Sequence, residues 1–462
     1  MPMTDAPPPL PRRPLPADFP PDVRVDTHID AHINAHVDSE SDARAAPCTG
    51  ESMHVLVTSL SRANLAAQFS EQMTLAVIPI VAVIALRASA EQTATLQAAT
   101  TLPFLLLSLP AGVLADRYRR KPLMISTELL RAAALLVLFL LFRMHWLTLA
   151  SLGALGFAIA TGTVVFGAAA PSLVAALVGP AHLLTANRRL ETARSVAFTA
   201  GPAIGGVLAG VASGLFAFAT ALALSLASAF WLSRLPAETP RTGARRHFVH
   251  ELGEGVRFIV RNRYLRPIVA TAFVFNTAWY LLLSVFAFHA IDALGFSPQA
   301  VGAALGTYGF GMVCGAMGYA RVANRLRFGR QILLGPICAG LAALLMCATT
   351  VVPRGPGAYG VVFAAFFLFG FGPIVWTIST TSLRQIVTPG GLVARVSAVT
   401  MTATCGARPL GAFLGAAIAS GHGAKACLFA MAVGFGMQLA IIARSPAARL
   451  ASLEAADSGQ SR

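Results

Sequence analysis

The sequence predicts an all-α membrane protein: twelve transmembrane helices in two six-helix repeats, preceded by a disordered N-terminal tail. Three observations carry that prediction. Of 462 residues, 56% are hydrophobic and only 12% charged, with a mean hydropathy of +0.67. Soluble domains average about 25% charged residues, so too few polar groups remain to cover water-soluble domains of this length. Apolar runs long enough to span a bilayer recur from about residue 66 to residue 443. Finally, sequence landmarks repeat at an offset of 207 or 208 residues. Soluble enzymes, secreted disulfide scaffolds and fully disordered chains are excluded.

The tail, residues 1–54, opens Pro-rich and lacks the apolar core of a signal peptide. Its four-residue repeat would stack His28, His32 and His36 on one face if helical, a stripe that could hold a divalent metal. Low-complexity disorder or an over-extended start site is the simpler account, and the one adopted for the tail. The spans fall near 66–87, 92–113, 122–142, 146–169, 190–212 and 214–233, then 267–290, 299–320, 331–352, 358–382, 395–418 and 425–443. They divide into an N-terminal half, 55–233, a cytoplasmic linker, 234–266, a C-terminal half, 267–445, and a C-terminal tail, 446–462.

Charge placement sets the orientation. Twenty Lys and Arg, from Arg117 and Lys121 through the linker to Arg384 and Arg395, fall on one side; only Arg87, Arg143, Arg354 and Lys425 fall on the other. Basic loops stay in the cytoplasm, so both termini are predicted there, in a bacterial inner membrane. The net charge of +15 is explained by these loops, and nucleic-acid binding is not expected. The six cysteines show no metal or disulfide spacing and read as small hydrophobes.

The repeat is visible at several points. Arg188 precedes Pro202 by 14 residues, as Arg395 precedes Pro409; Asp116-Arg117 maps onto Asn324-Arg325, and Ser89 onto Ser297. Parallel duplication of a six-helix unit explains the pattern.

The loop between spans 2 and 3 reads Gly112-Val-Leu-Ala-Asp116-Arg117-Tyr-Arg-Arg120-Lys121. It resembles the signature loop of the major facilitator superfamily, Gly-x-x-x-Asp-Arg-x-Gly-Arg-Arg, with Arg119 where the family has Gly. The resemblance implies a gate in which Asp116 meets a helix N-terminus across the two halves. Span 5 carries Gly201-Pro202-Ala-Ile-Gly205-Gly206, which resembles the superfamily's antiporter motif and implies export; small residues also pack helices backbone to backbone. Glu128-Leu-Leu-Arg131, Ala170-Pro171, Gly179-Pro180 and Leu383-Arg384-Gln385 narrow the resemblance to the enterobactin-exporter-like branch, the transmembrane secretion effectors, over roughly residues 55–445. That branch implies siderophores or drug-like small molecules as substrates.

Ionisable residues inside spans are functional candidates. Glu71, about one turn inside span 1, is the candidate proton-coupling carboxylate. Glu128 and Arg131, three apart on span 3, are placed to pair and to form a gating charge network. Arg194, Asn276, Trp279, Tyr280 and Arg408 are candidates for the substrate cavity; either Arg could neutralise ionised Glu71. The aromatics of span 7 suit a bulky, partly apolar substrate, though such stripes more often pack as core.

The expected protein is a secondary active transporter, a proton-coupled exporter of a siderophore or drug-like molecule. The alternatives on the same fold are an uncoupled facilitator or a lysophospholipid flippase; a metal-sensing receptor built on the His tail is a third. No Gly-x-x-x-x-Gly-Lys-Ser/Thr occurs, no catalytic constellation is evident, and neither cofactor nor resident metal is expected. The expected partners are the small molecule, protons and the bilayer; an outer-membrane or periplasmic efflux partner is not identifiable from sequence.

Overall fold

A computed structural model describes residues 50–178, 180–211, 214–236, 248–389 and 392–452. The His28/His32/His36 repeat lies outside the described residues. Thirteen α-helices are described: α1 (Gly50–Ala85), α2 (Ala90–Leu106), α3 (Ser108–Arg117), α4 (Arg120–Arg143), α5 (Leu149–Leu177), α6 (Pro180–Val211), α7 (Leu215–Ser233), α8 (Phe248–Arg261), α9 (Leu265–Phe288), α10 (Pro298–Arg325), α11 (Phe328–Ala348), α12 (Pro356–Val387) and α13 (Val393–Ala443). Ten are long and apolar enough to cross a membrane. The predicted second span is divided into α2 and α3, and α13 folds spans 11 and 12 back on each other across Gly423, whose φ of 76° lies in the left-handed region. These two departures turn ten helices into the twelve predicted spans.

Local chemistry explains the boundaries. Ser89 caps α2 in a reciprocal box with Gln92, and its repeat-mate Ser297 caps α10 by accepting from the Ala300 amide. The split at Leu107 follows from Pro110, which has no N–H for the Leu106 carbonyl. Two stretches differ from expectation. Helix α1 reaches back to Gly50 rather than beginning near 66, because Leu56, Leu60, Ala63 and Ala67 keep a helical apolar stripe between polar neighbours. Within the linker, α8 docks on α13, where Gly255 sits against the Arg395 carbonyl and Glu254 pairs with Arg395.

The packing is asymmetric from one end to the other. Toward the sparsely charged loops one continuous apolar core joins both halves, running from Val77, Leu135 and Phe218 to Trp279, Phe366 and Phe435. Toward the basic loops it separates into two: one around Leu60, Phe166 and Leu232, the other around Ile259, Ile332 and Val396. The halves meet along α2 against α13 and α6 against α10. Thus they are closed on each other at the sparsely charged end and part at the basic end.

Candidate functional site

Glu71 sits where α1 is pinned from two sides. Ser70 donates through Oγ to the Ala221 carbonyl of α7 at 2.8 Å, while Gln72 and Met73 lie against Gly201 and Gly205 of α6. The intervening side chain is thereby turned toward α2 and α5. There it borders a cavity of about 20 Å³ lined also by Thr74, Thr100, Phe104, Gly156 and Thr163. That volume admits a single water. Among the described residues the Glu71 carboxyl has no ion pair, yet it lies within electrostatic reach of Arg131, Arg408 and Arg194.

The predicted pair on α4 is formed. Arg131 Nη1 meets Glu128 Oε1 at 2.7 Å, with both side chains at or below 1% exposure. Neutral partners from three other helices hold it. Arg131 donates from Nη2 to Thr163 Oγ1 of α5 at 2.9 Å and from Nη1 to the Ala67 carbonyl of α1 at 3.3 Å. Ser225 Oγ of α7 lies 2.8 Å from Glu128 Oε2 and 3.1 Å from the Glu128 carbonyl. The buried Arg131 Nε has no partner. Ala67 is one helical turn before Glu71, so this pair stands directly behind the cavity.

Arg408 of α13 crosses between the halves. Its guanidinium lies 4.6 Å from the ring centre of Phe104 in the N-terminal half and 5.5 Å from that of Tyr280 in the C-terminal half. Phe104 is thus a shared wall, with the Glu71 cavity beside one part of it and Arg408 beside another. The remaining cavity candidates are distributed differently. Trp279 is 8% exposed and stacks on Tyr308 at 4.8 Å, with Phe366 and Phe369 edge-on, so it packs as core. Asn276 turns back to the Ala272 carbonyl of its own helix. Arg194 pairs with Glu191 at 2.9 Å on the exposed basic-end half of α6.

The structure divides the span 5 motif between two jobs. Gly201 and Gly205 admit α1, whereas Gly206 meets Gly302 of α10 in the other half: a Cβ built on Gly206 would stand 2.7 Å from the Gly302 Cα. Pro202 lies buried between them. In the loop between spans 2 and 3, Gly112 has open space around its Cα, Arg117 is exposed at the end of α3, and Arg120 is buried at the start of α4. The Asp116 side chain lies outside the described residues. Lys121 donates from Nζ to the Ser233 and Leu235 carbonyls, capping α7, a favourable place for a cation.

Sequence reasoning did not single out Phe104, Thr163, Ser225 or Tyr308. Lone Thr and Ser in apolar spans are too common to mark a site, and Phe104 belongs to a run of lipid-compatible residues.

Residues 56–462 match the family described as transmembrane secretion effector. The chain is 27% identical over 375 residues to the multidrug efflux pump Tap of Mycobacterium tuberculosis (strain ATCC 25618 / H37Rv), spanning 78% of this chain and 86% of that protein. Tap of Mycobacterium bovis (strain BCG / Pasteur 1173P2) matches to the same extent. Among solved structures, a bacterial homologue of the iron transporter ferroportin in its inward-facing state superposes with a TM-score of 0.66 at 14% identity, covering 84% of this chain and 97% of that one. The nucleoside transporter NupG gives 0.67 at 11%, covering 84% and 97%. A bacterial homologue of the lysosomal transporter Spinster, inward-facing and unoccupied, gives 0.64 at 14%, covering 88% and 98%. At these identities the structural likeness speaks for the fold.

Proposed function

The chain belongs to the transmembrane secretion effector family, transporters of the major facilitator type, and from that premise we propose that it is a proton-coupled exporter of drug-like small molecules. Its basic loops face the cytoplasm of a bacterial inner membrane, so the described conformation is open inward. Proton entry from outside to Glu71 competes with outgoing substrate, and the halves rock about the α2–α13 and α6–α10 seams.

The observation that carries the coupling is the setting of Glu71: an acid in mid-span, facing a water-sized cavity, with no fixed ion-pair partner among the described residues. A carboxyl locked in a salt bridge has little freedom to exchange a proton; this one is held near three arginines and committed to none. The relation to the multidrug pump Tap supports a drug-like cargo over a siderophore. Arg408 between Phe104 and Tyr280 supplies a planar cation with aromatic walls at the meeting of the two halves, suited to planar, partly apolar compounds.

The test uses inverted membrane vesicles, acidic inside, carrying an internal pH dye. Erythromycin, ethidium and a catecholate siderophore are added in turn. Wild-type protein is expected to dissipate the gradient with erythromycin or ethidium, and Glu71→Gln is not. Accumulation of labelled compound without proton release, equal in both proteins, would establish an uncoupled facilitator instead.

A further inference from the structure

Resting on proton coupling at Glu71, we propose that Glu128 is a second proton-carrying site, with Arg131 as the counter-ion the two acids share. The coupled proton then leaves through the N-terminal half, apart from the route of the substrate.

The buried cluster has the groups needed for both protonation states. Thr163 belongs to two sites at once: it lines the Glu71 cavity and accepts from Arg131 Nη2 at 2.9 Å. A hydroxyl that accepts from a guanidinium keeps its own hydrogen to give. On the far side, Ser225 Oγ is within hydrogen-bond distance of both Glu128 Oε2 and the Glu128 carbonyl, at 2.8 and 3.1 Å. Its single hydrogen can go to the carboxylate when Glu128 is ionised. When Glu128 is protonated, the hydrogen can go to the carbonyl while the hydroxyl oxygen accepts from the acid. Arg131 Nε is a buried donor with no hydrogen-bond partner, and Glu71, within electrostatic reach of this arginine, has no ion pair among the described residues.

The step balances. One O–H bond breaks on Glu71 and one forms on Glu128: the water the cavity admits takes the proton, and Arg131, held on the cavity side by Thr163, turns from Glu128 Oε1 toward the carboxylate left on Glu71 and frees that oxygen to receive it. Arg131 stays with whichever carboxylate is ionised, so two carboxyls, one proton and one guanidinium sum to zero net charge before and after. Glu128 stands two turns from Arg120, where α4 begins at the basic end, whereas Glu71 lies deep in α1. The transfer therefore moves the proton toward the basic-loop side without entering the space between the halves.

Proteoliposomes with an internal pH dye test this, with erythromycin or ethidium, whichever releases protons in wild type. Two rates are read for each variant: compound-driven proton flux, and exchange of labelled for unlabelled compound without a gradient. Glu128→Gln is expected to lower proton flux about tenfold or more relative to exchange, both rates taken per folded protein. Because Glu128→Gln leaves Arg131 without its carboxylate and can unfold, the near-isosteric Thr163→Val is measured beside it and should lower proton flux severalfold relative to exchange. Wild-type proton flux in Thr163→Val and Glu128→Gln, with flux lost in Glu71→Gln, overturns the relay and leaves coupling at Glu71 standing. Flux retained in Glu71→Gln overturns both.

Discussion

Arginine rather than lysine at 408 has a physical reason. A planar guanidinium can lie against Phe104 and Tyr280 together, whereas an ammonium offers a point charge with stronger hydration. Contacts of this kind contribute about 0.5–2 kcal/mol. Arg408→Lys should therefore weaken apparent affinity for an aromatic compound severalfold, read as a raised KM with the protein still folded. The Glu128–Arg131 pair makes a different prediction. Removing one buried partner strands the other charge, at a cost of about 3–5 kcal/mol, while replacing both by apolar residues of similar size is far less damaging. Arg131→Met should depress the unfolding midpoint in detergent sharply, and the double replacement Arg131→Met with Glu128→Leu should recover most of it. Recovery of stability without recovery of proton flux is the signature expected of a functional pair.

At the scale of elements, the α6–α10 seam rests on glycines. A Cβ on Gly302 would fall 2.5 Å from the Pro202 carbonyl, and one on Gly206 would meet both the Gly302 Cα and the Pro298 carbonyl at 2.7 Å. Overpacking of that kind costs about 1–3 kcal/mol, enough to move a two-state balance several- to more than a hundredfold. Gly206→Val is expected to open this seam, reduce transport accordingly, and expose a cysteine placed at Ala203, which faces Gly306 across the seam. The Gly-Pro-x-x-Gly-Gly pattern was legible in the sequence, but its division of labour was not. Spacing shows that Gly205 and Gly206 point to different sides of a helix; only the packing reveals that one side is α1 and the other is the opposite half. Lys121 is a similar case. It reads as one more positive loop charge, yet it holds the carbonyl end of α7, and Lys121→Met should lower thermal stability by about 0.5–2 kcal/mol, checked by the unfolding midpoint.

For the whole molecule, the spans and the duplication were readable because a bilayer imposes length and hydropathy on every crossing, and because Ser89 and Ser297, or Pro202 and Pro409, keep their places in both copies. Polar chemistry inside the bundle was only half legible. Glu71, Glu128, Arg131 and Arg408 stood out because charges are rare in spans, whereas their neutral partners Thr163, Ser225 and Phe104 look like any other span residue. Charge alone also marked Arg194 as a candidate beside Glu71, but gave no sign of its pairing with Glu191. The separation of one apolar core into two toward the basic loops is a property of the assembled fold that no local pattern contains.

That separation carries the central claim: the described conformation is one end of an alternating-access cycle governed by Glu71. Spin labels at Leu114, exposed on α3, and Met317, exposed on α10, report the opening at the basic end from opposite halves. Distances between them, measured by pulsed electron resonance in lipid nanodiscs, should fall into a long and a short population in wild type. The ratio should change between acidic and alkaline buffer, and Glu71→Gln should hold it fixed. A single distance under every condition, or an unaltered pH response in Glu71→Gln, would contradict the account.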